Sequence, residues 1–210
     1  MQKASKQLLA ISTVLGLGLV ISTTPASATI TSNPKPDNTA KTQATVTLKQ
    51  SEQDGAIRIE QAPNYEFNNL EISAFTKEYG ATSVKNNLVV SNPGFESGYH
   101  VTAKISAFNK ADAARKGDAG AAKLTGADLF LTNGTVSAVE AENPSAVPLT
   151  TNNIHLTGTD NLMLNATAGT ALGRHQLVHD KSAVRLRIPA GNKVGAYNAT
   201  IVWTLNNTPA

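Results

Sequence analysis

Short runs rich in β-branched, aliphatic and aromatic residues recur along most of this 210-residue chain, with Gly, Asn and Pro between them. Runs of this length, bounded by turn-forming residues, are typical of β-strands. About ten of them at this spacing predict an all-β fold, either an antiparallel β-sandwich or a barrel. The runs span residues 46–49, 56–61, 69–75, 87–91, 99–108, 128–132, 136–140, 154–157, 184–189 and 197–205.

Two stretches interrupt this pattern. Residues 111–122 have helical composition but contain Gly117 and Gly120, so they predict a short helix or a mobile loop inserted between strands. Residues 161–182 show no clear period, and we expect a long loop there with a short helix near 172–177.

The N-terminal residues have the pattern of an export signal. Lys3 and Lys6 precede an apolar stretch at 8–21, and Ala26-Ser27-Ala28 forms a small-residue cleavage site. We therefore predict a signal peptide over residues 1–28. The apolar stretch is too short and too interrupted by Ser, Thr and Gly to predict a membrane span.

The exported chain is expected to contain one domain behind a linker. Residues 29–45 are polar and include Pro34 and Pro36, which is typical of a flexible linker. Residues 46–210 show no internal repeat and no second boundary, so they predict a single β domain. No apolar segment follows Leu205, and we expect no membrane span in the mature chain and a non-covalent attachment to the cell.

Charge and cysteine content exclude several function classes. The whole chain has 18 Lys and Arg against 15 Asp and Glu; the leader contains two lysines and no acid, so 16 basic residues remain against 15 acidic ones. This near-neutral chain gives no basis for binding nucleic acid. The absence of cysteine excludes disulfides, a lipoprotein anchor, a thiol nucleophile and a zinc–thiolate site.

Few residues have the pattern of a catalytic or metal site. No serine lies in a Gly-x-Ser-x-Gly elbow, and the acidic residues are scattered. His175 and His179 have the spacing that places two imidazoles on one helical face, but the Glu of a zinc hydrolase is missing between them. We interpret them as exposed histidines in a solvated loop, and we expect no enzyme activity, no metal and no cofactor.

The last predicted strand contains the single tryptophan of the chain. Alternation places Tyr197, Ala199, Ile201, Trp203 and Leu205 on one face of it. The strand at 99–108 alternates in the same way, with Tyr99 and Val101 on its apolar face. If these two strands pair, Tyr99 and Trp203 would lie near each other.

These residues resemble the WxL-domain family of Gram-positive cell-surface proteins. The matching segments are Trp203-Thr204-Leu205, the preceding Gly195-Ala196-Tyr197, the run 184–190, and an opening at 55–67 with Pro63 and Phe67. The family normally has a second, earlier copy of the motif. The corresponding segment here, at 90–101, has Tyr99 and Val101 where Trp and Leu are expected.

The resemblance implies a secreted, non-enzymatic protein that attaches non-covalently to the cell wall, through peptidoglycan or another wall polymer. It implies alternatively a structural subunit of a surface complex, which docks on companion surface proteins such as a WxL-interacting protein, by adding or receiving a β-strand. The candidate ligand-binding residues are Trp203, Leu205, Tyr99 and Tyr197. For Trp203 two interpretations remain open: an aromatic face that stacks on a sugar ring, or a core side chain between Ile201 and Leu205.

Overall fold

A computed structural model of the chain describes residues 43–49, 55–111 and 123–210. The chain divides into two units, Met1–Leu48 and Lys49–Ala210. The predicted signal peptide, most of the predicted linker and nearly all of the predicted helix or loop at 111–122 lie outside the described residues. Of the first unit, residues 43–48 are described; they are exposed and form no strand, so the strand predicted at 46–49 is wrong.

The second unit is essentially all-β and sandwich-like, as predicted, with three four-stranded antiparallel sheets. Strands are numbered in chain order. The first sheet has the order β1 (Arg58–Gln61), β5 (Leu88–Asn92), β13 (Gly173–Val178), β9 (Thr135–Ala138). The second has the order β10 (Leu149–Thr150), β12 (Asn161–Ala166), β6 (Tyr99–Ile105), β16 (Ile201–Asn206). The third has the order β11 (Ile154–Leu156), β8 (Asp128–Leu131), β14 (Val184–Ile188), β3 (Lys77–Gly80).

Two short pairs complete the strands. They are β2 (Asn64–Glu66) with β4 (Ser83–Lys85), and β7 (Asn109–Lys110) with β15 (Tyr197–Asn198). The described residues thus contain sixteen strands where about ten were predicted. The predicted last strand is one source of the difference, because β15 and β16 divide it.

Alternating burial produces the hydrophobic core. On β6, Tyr99, Val101 and Ala103 are buried, whereas the intervening residues are only partly covered. The facing strands of the other two sheets contribute aliphatic side chains to the same cluster, among them Leu88 and Leu129. The core therefore joins all three large sheets.

Two predictions of local structure are wrong. Residues 69–75, predicted to be a strand, lie in a segment between β2 and β3 that forms no strand, and the side chains of Ile72 and Phe75 are exposed. Residues 161–182, predicted to be a long loop with a short helix, instead contain the strands β12 and β13. β13 pairs with β5 on one side and β9 on the other, so its backbone hydrogen bonds outweigh the weak strand pattern of its polar residues.

One 3-10 turn, Lys181–Ala183, leads into β14; Asp180 caps it by accepting a hydrogen bond from the Ser182 amide. No helix within residues 43–49, 55–111 and 123–210 is long and apolar enough to cross a membrane.

Candidate functional site

The C-terminal strand β16 lies at the edge of the second sheet and pairs antiparallel with β6. Leu205 is opposite Val101, Trp203 is opposite Ala103, and the register runs without a bulge. The two strands pair, but Tyr99 and Trp203 do not lie near each other. Tyr99 lies four residues beyond Ala103, about 13 Å along the strand, and is opposite Ala166 of β12.

One backbone hydrogen bond at the start of β16 shows which of its residues direct their N–H and C=O groups towards β6. The Ser106 amide donates to the Thr200 carbonyl at 2.9 Å, so residues in step with Thr200 direct their backbone groups towards β6. The intervening residues Ile201, Trp203 and Leu205 therefore direct their N–H and C=O groups away from the sheet. No described strand pairs with that side.

The aromatic residues of the two paired strands differ in accessibility. Tyr99 is 0% exposed, and burial raises the pKa of its hydroxyl, for which the described residues provide no hydrogen-bond partner. Trp203 and Leu205 also face the core but are half-buried. We therefore assign Tyr99 to the core, whereas part of the Trp203 side chain remains accessible at the sheet edge.

Tyr197, the fourth candidate residue, lies away from this edge. Its hydroxyl donates to the Lys193 carbonyl at 2.8 Å, and its strand pairs with Lys110. Tyr197 lines a cleft, and Trp203, Leu205 and Tyr99 do not.

The cleft has a volume of about 1030 Å³ and is formed mainly by residues 65–75 and 186–201. Phe67, Leu70, Tyr79, Ile188 and Tyr197 contribute apolar and aromatic faces to it. Its apolar lining is not fully closed: Phe75 is 79% exposed, and Ile72 and Val194 also project into solvent. Concave sites lined by aromatic and apolar side chains with a few polar groups are the usual place for ligands.

Asparagine amides supply much of the polar chemistry of the cleft. Asn192 is held in place, because its amide donates to the Thr125 and Pro189 carbonyls at 3.1 and 2.9 Å. Asn68, Asn69 and Asn198 are exposed, and their side chains have no hydrogen-bond partner among the described residues. These three amides are available to a ligand.

Sequence reasoning missed most of this cleft. The segment 69–75 has a strand-like composition, and only the turn-forming pair Asn68-Asn69 signals that the chain leaves the sheet there. The contribution of residues 192–195 depends on how β14 and β15 are placed in space.

The interpretation of His175 and His179 as exposed loop residues is wrong. Both are buried, His175 on β13 and His179 directly after it, and Tyr65 lies edge-on to the His179 ring at 6.4 Å. Burial lowers the pKa of His175 and lowers that of His179 to about 4. Among the described residues no group of three or more His, Cys, Asp or Glu side chains could hold a metal ion.

Comparison with known proteins identifies the family. A family model for the WxL domain, described as surface cell wall-binding, matches residues 20–209 and so covers nearly the whole chain. Neither the curated proteins nor the solved structures contain a match to this chain. From the match over residues 20–209, together with the all-β fold and the C-terminal strand that ends in Trp203-Thr204-Leu205, the chain belongs to the WxL family of surface cell wall-binding domains.

Proposed function

We propose that this protein is secreted and attaches non-covalently to peptidoglycan of the Gram-positive wall, without enzymatic activity. The family match over residues 20–209 carries the proposal, because that family binds the cell wall. The N-terminal export pattern supports secretion.

The cleft beside Tyr197 is the surface that best suits a wall glycan. Sugar rings stack on aromatic faces, and the acetamido groups of wall sugars form hydrogen bonds with amides. Tyr197, Tyr79 and Phe75 supply aromatic rings there, and Asn68, Asn69 and Asn198 supply free amides. We therefore place the wall contact at the cleft rather than at Trp203.

Co-sedimentation with purified peptidoglycan tests this proposal. The exported chain should be found in the pellet, and Phe75→Ser should reduce the bound fraction, because Phe75 is exposed and its loss leaves the core intact. Val147→Ser is the matched control, since Val147 is also an exposed apolar residue but does not line the cleft. A folded chain that stays in the supernatant would exclude peptidoglycan binding.

The same samples test the absence of enzymatic activity. We expect no soluble glycan or peptide fragments after incubation at different pH values and with added divalent metals. Release of fragments by the purified chain would show a wall-degrading enzyme instead.

A second candidate function is docking on a companion surface protein, such as a WxL-interacting protein. The unpaired side of β16 favours it, because an extended segment of a partner could add to that edge. In a pull-down from a surface extract, protein partners should then remain bound after muramidase has removed the glycan.

A further inference from the structure

We propose that a second copy of this chain adds its residues 43–49 as an extra strand along the free edge of β16. The proposal concerns self-assembly and does not depend on wall attachment. It joins two independent observations: one unprotected sheet edge, and one strand-like segment for which the described residues supply no partner.

β16 is the least protected edge of the three large sheets. It is six residues long, whereas the other edge strands have two to four residues. It contains no charged residue, no proline and no bulge. β1 and β3, by contrast, contain charged residues, and the pairing of β1 with β5 is irregular. Charges, irregularities and short length are the features that normally block edge-to-edge pairing, and β16 lacks all of them.

Side-chain burial is also incomplete at this edge. Trp203 faces the core but is only half-buried, since no described neighbouring strand covers its outer side. An added strand would form hydrogen bonds with the outward backbone groups of Ile201, Trp203 and Leu205. It would at the same time cover the remaining surface of the indole.

Residues 43–49 have the properties that this edge requires. Val46 and Leu48 are 82% and 89% exposed, which is unusual for large apolar side chains. They alternate with Thr45, Thr47 and Lys49, so in a strand the apolar and polar residues would lie on opposite faces. Local sequence thus favours a strand, and the described structure supplies no partner for it.

The two alternating patterns are compatible. In an antiparallel pair, residues directly opposite each other point to the same face of the sheet. When Val46 or Leu48 lies opposite Trp203, both are on the core face, and Thr47 lies beside Val202 or Thr204 on the solvent face. A shift by one residue would reverse this arrangement, so only the two registers that differ by two residues, with Val46 or with Leu48 opposite Trp203, are compatible.

Because each copy can donate one strand and receive one, the contact is head-to-tail. Two copies that exchange strands reciprocally give a closed dimer, and copies that do not close give a linear assembly. A variant with a disrupted 43–49 segment should form neither the closed dimer nor the linear assembly.

Sedimentation velocity of the full chain, produced with its own leader and recovered from the culture medium, tests the self-association. We expect the average mass to rise with concentration. Val46→Ser with Leu48→Ser should weaken association by at least about tenfold, because two apolar side chains are no longer buried. The matched control, Thr45→Ser with Thr47→Ser, keeps the apolar residues and should associate like the unchanged chain.

Disulfide trapping locates the contact, since the natural chain has no cysteine. A mixture of Thr47→Cys chains with either Val202→Cys or Thr204→Cys chains, one for each compatible register, should form a disulfide between copies, because Cα atoms at such a non-hydrogen-bonded pair lie about 4.5 Å apart. Thr47→Cys mixed with Thr135→Cys, which is exposed on the edge strand β9, should not.

Three results would overturn the proposal. The first is a chain that stays monomeric at all concentrations and forms no trapped species. The second is association that survives the Val46 and Leu48 double substitution, which would place the interface elsewhere. The third is a chain with both Thr47→Cys and Val202→Cys that forms its disulfide within a monomer, because the segment would then pair with its own domain.

Discussion

β6 and β16 carry the same local pattern in different surroundings. Tyr99-His100-Val101 and Trp203-Thr204-Leu205 each place an aromatic and an aliphatic residue on one face, and Val101 is directly opposite Leu205. β6, however, has neighbours on both sides, whereas β16 has one among the described strands. Tyr99 is consequently buried, and Trp203 remains partly accessible. Position within the sheet, rather than residue type, decides which of the two aromatic residues can meet another molecule.

Central and edge strands contribute differently to stability and to binding. A central strand contributes mainly buried area, whereas an edge strand also presents backbone groups and a partly open side chain. If this distinction holds, substitutions on β6 should affect folding most, and the cost should decrease towards the edge and the solvent face.

The largest loss of stability is expected for Tyr99→Ala. Removal of a fully buried aromatic ring leaves a cavity, which costs about 3–5 kcal/mol. Urea unfolding followed by circular dichroism measures the change. A loss below about 1 kcal/mol would show that the site collapses around the cavity, and Tyr99→Phe, which keeps the ring, is the control.

Trp203→Ala should cost less, about 2 kcal/mol, because the edge position leaves part of the indole exposed in the folded protein. The same unfolding experiment gives the ratio of the two losses. Equal losses of unfolding free energy for Trp203→Ala and Tyr99→Ala would contradict the expected difference between the edge strand β16 and the central strand β6. Trp203→Phe should recover much of the stability.

A pH titration extends the comparison to β13, a second central strand. The unfolded chain protonates His179 near pH 6.5, but burial lowers its folded-state pKa to about 4. The unfolded state therefore binds more protons as the pH falls from 6.5 towards 4, and the folded state loses stability in that window. For His179 alone we expect a loss of about 1.4 kcal/mol at pH 5.5 relative to pH 7.5.

Burial lowers the pKa of His175 too, so it adds to this loss in the same direction. Urea unfolding at the two pH values measures the effect. His179→Gln should give a flatter dependence on pH, and an unchanged slope in that variant would assign the acid sensitivity to other groups.

The smallest effect is expected for Val202→Thr, on the solvent face of β16. Val202 is 45% exposed, and threonine keeps the β-branched shape, so the unfolding free energy should change by no more than about 0.5 kcal/mol. A loss as large as that of Trp203→Ala would mean that this face is covered in solution.

Sequence reasoning succeeded where one face of a strand is apolar and the turns are clear. Residues 87–91, 128–132 and 184–189 alternate or are continuously apolar between turn formers, and each coincides with a strand to within one residue at either end. It failed where neighbouring strands determine the structure: β13 begins with Gly173 and contains Arg174 and Gln176, yet pairing with two strands holds it in the first sheet. Residues 46–49 have a strand pattern and no strand, because the described fold supplies no partner.

In the candidate site, too, some residues could be found from the sequence and others only from the tertiary structure. Tyr197 and Trp203 are found from the C-terminal motif, but the motif does not reveal that one lines a cleft and the other lies at an edge. Asn68, Asn69 and Phe75 become candidates only when residues 65–75 and 186–201 lie side by side. Residues so far apart in the chain carry no local pattern that indicates their contact.

By itself, the sequence determined the fold class, the family and the face on which Trp203 lies, because alternation and turn formers act over a few neighbouring residues. Only the tertiary structure decided that Tyr99 is core, that His175 and His179 are buried, that the cleft exists and that β16 is left as an edge. Those properties depend on strand order, and strand order follows from hydrogen bonding and packing between segments distant in the chain.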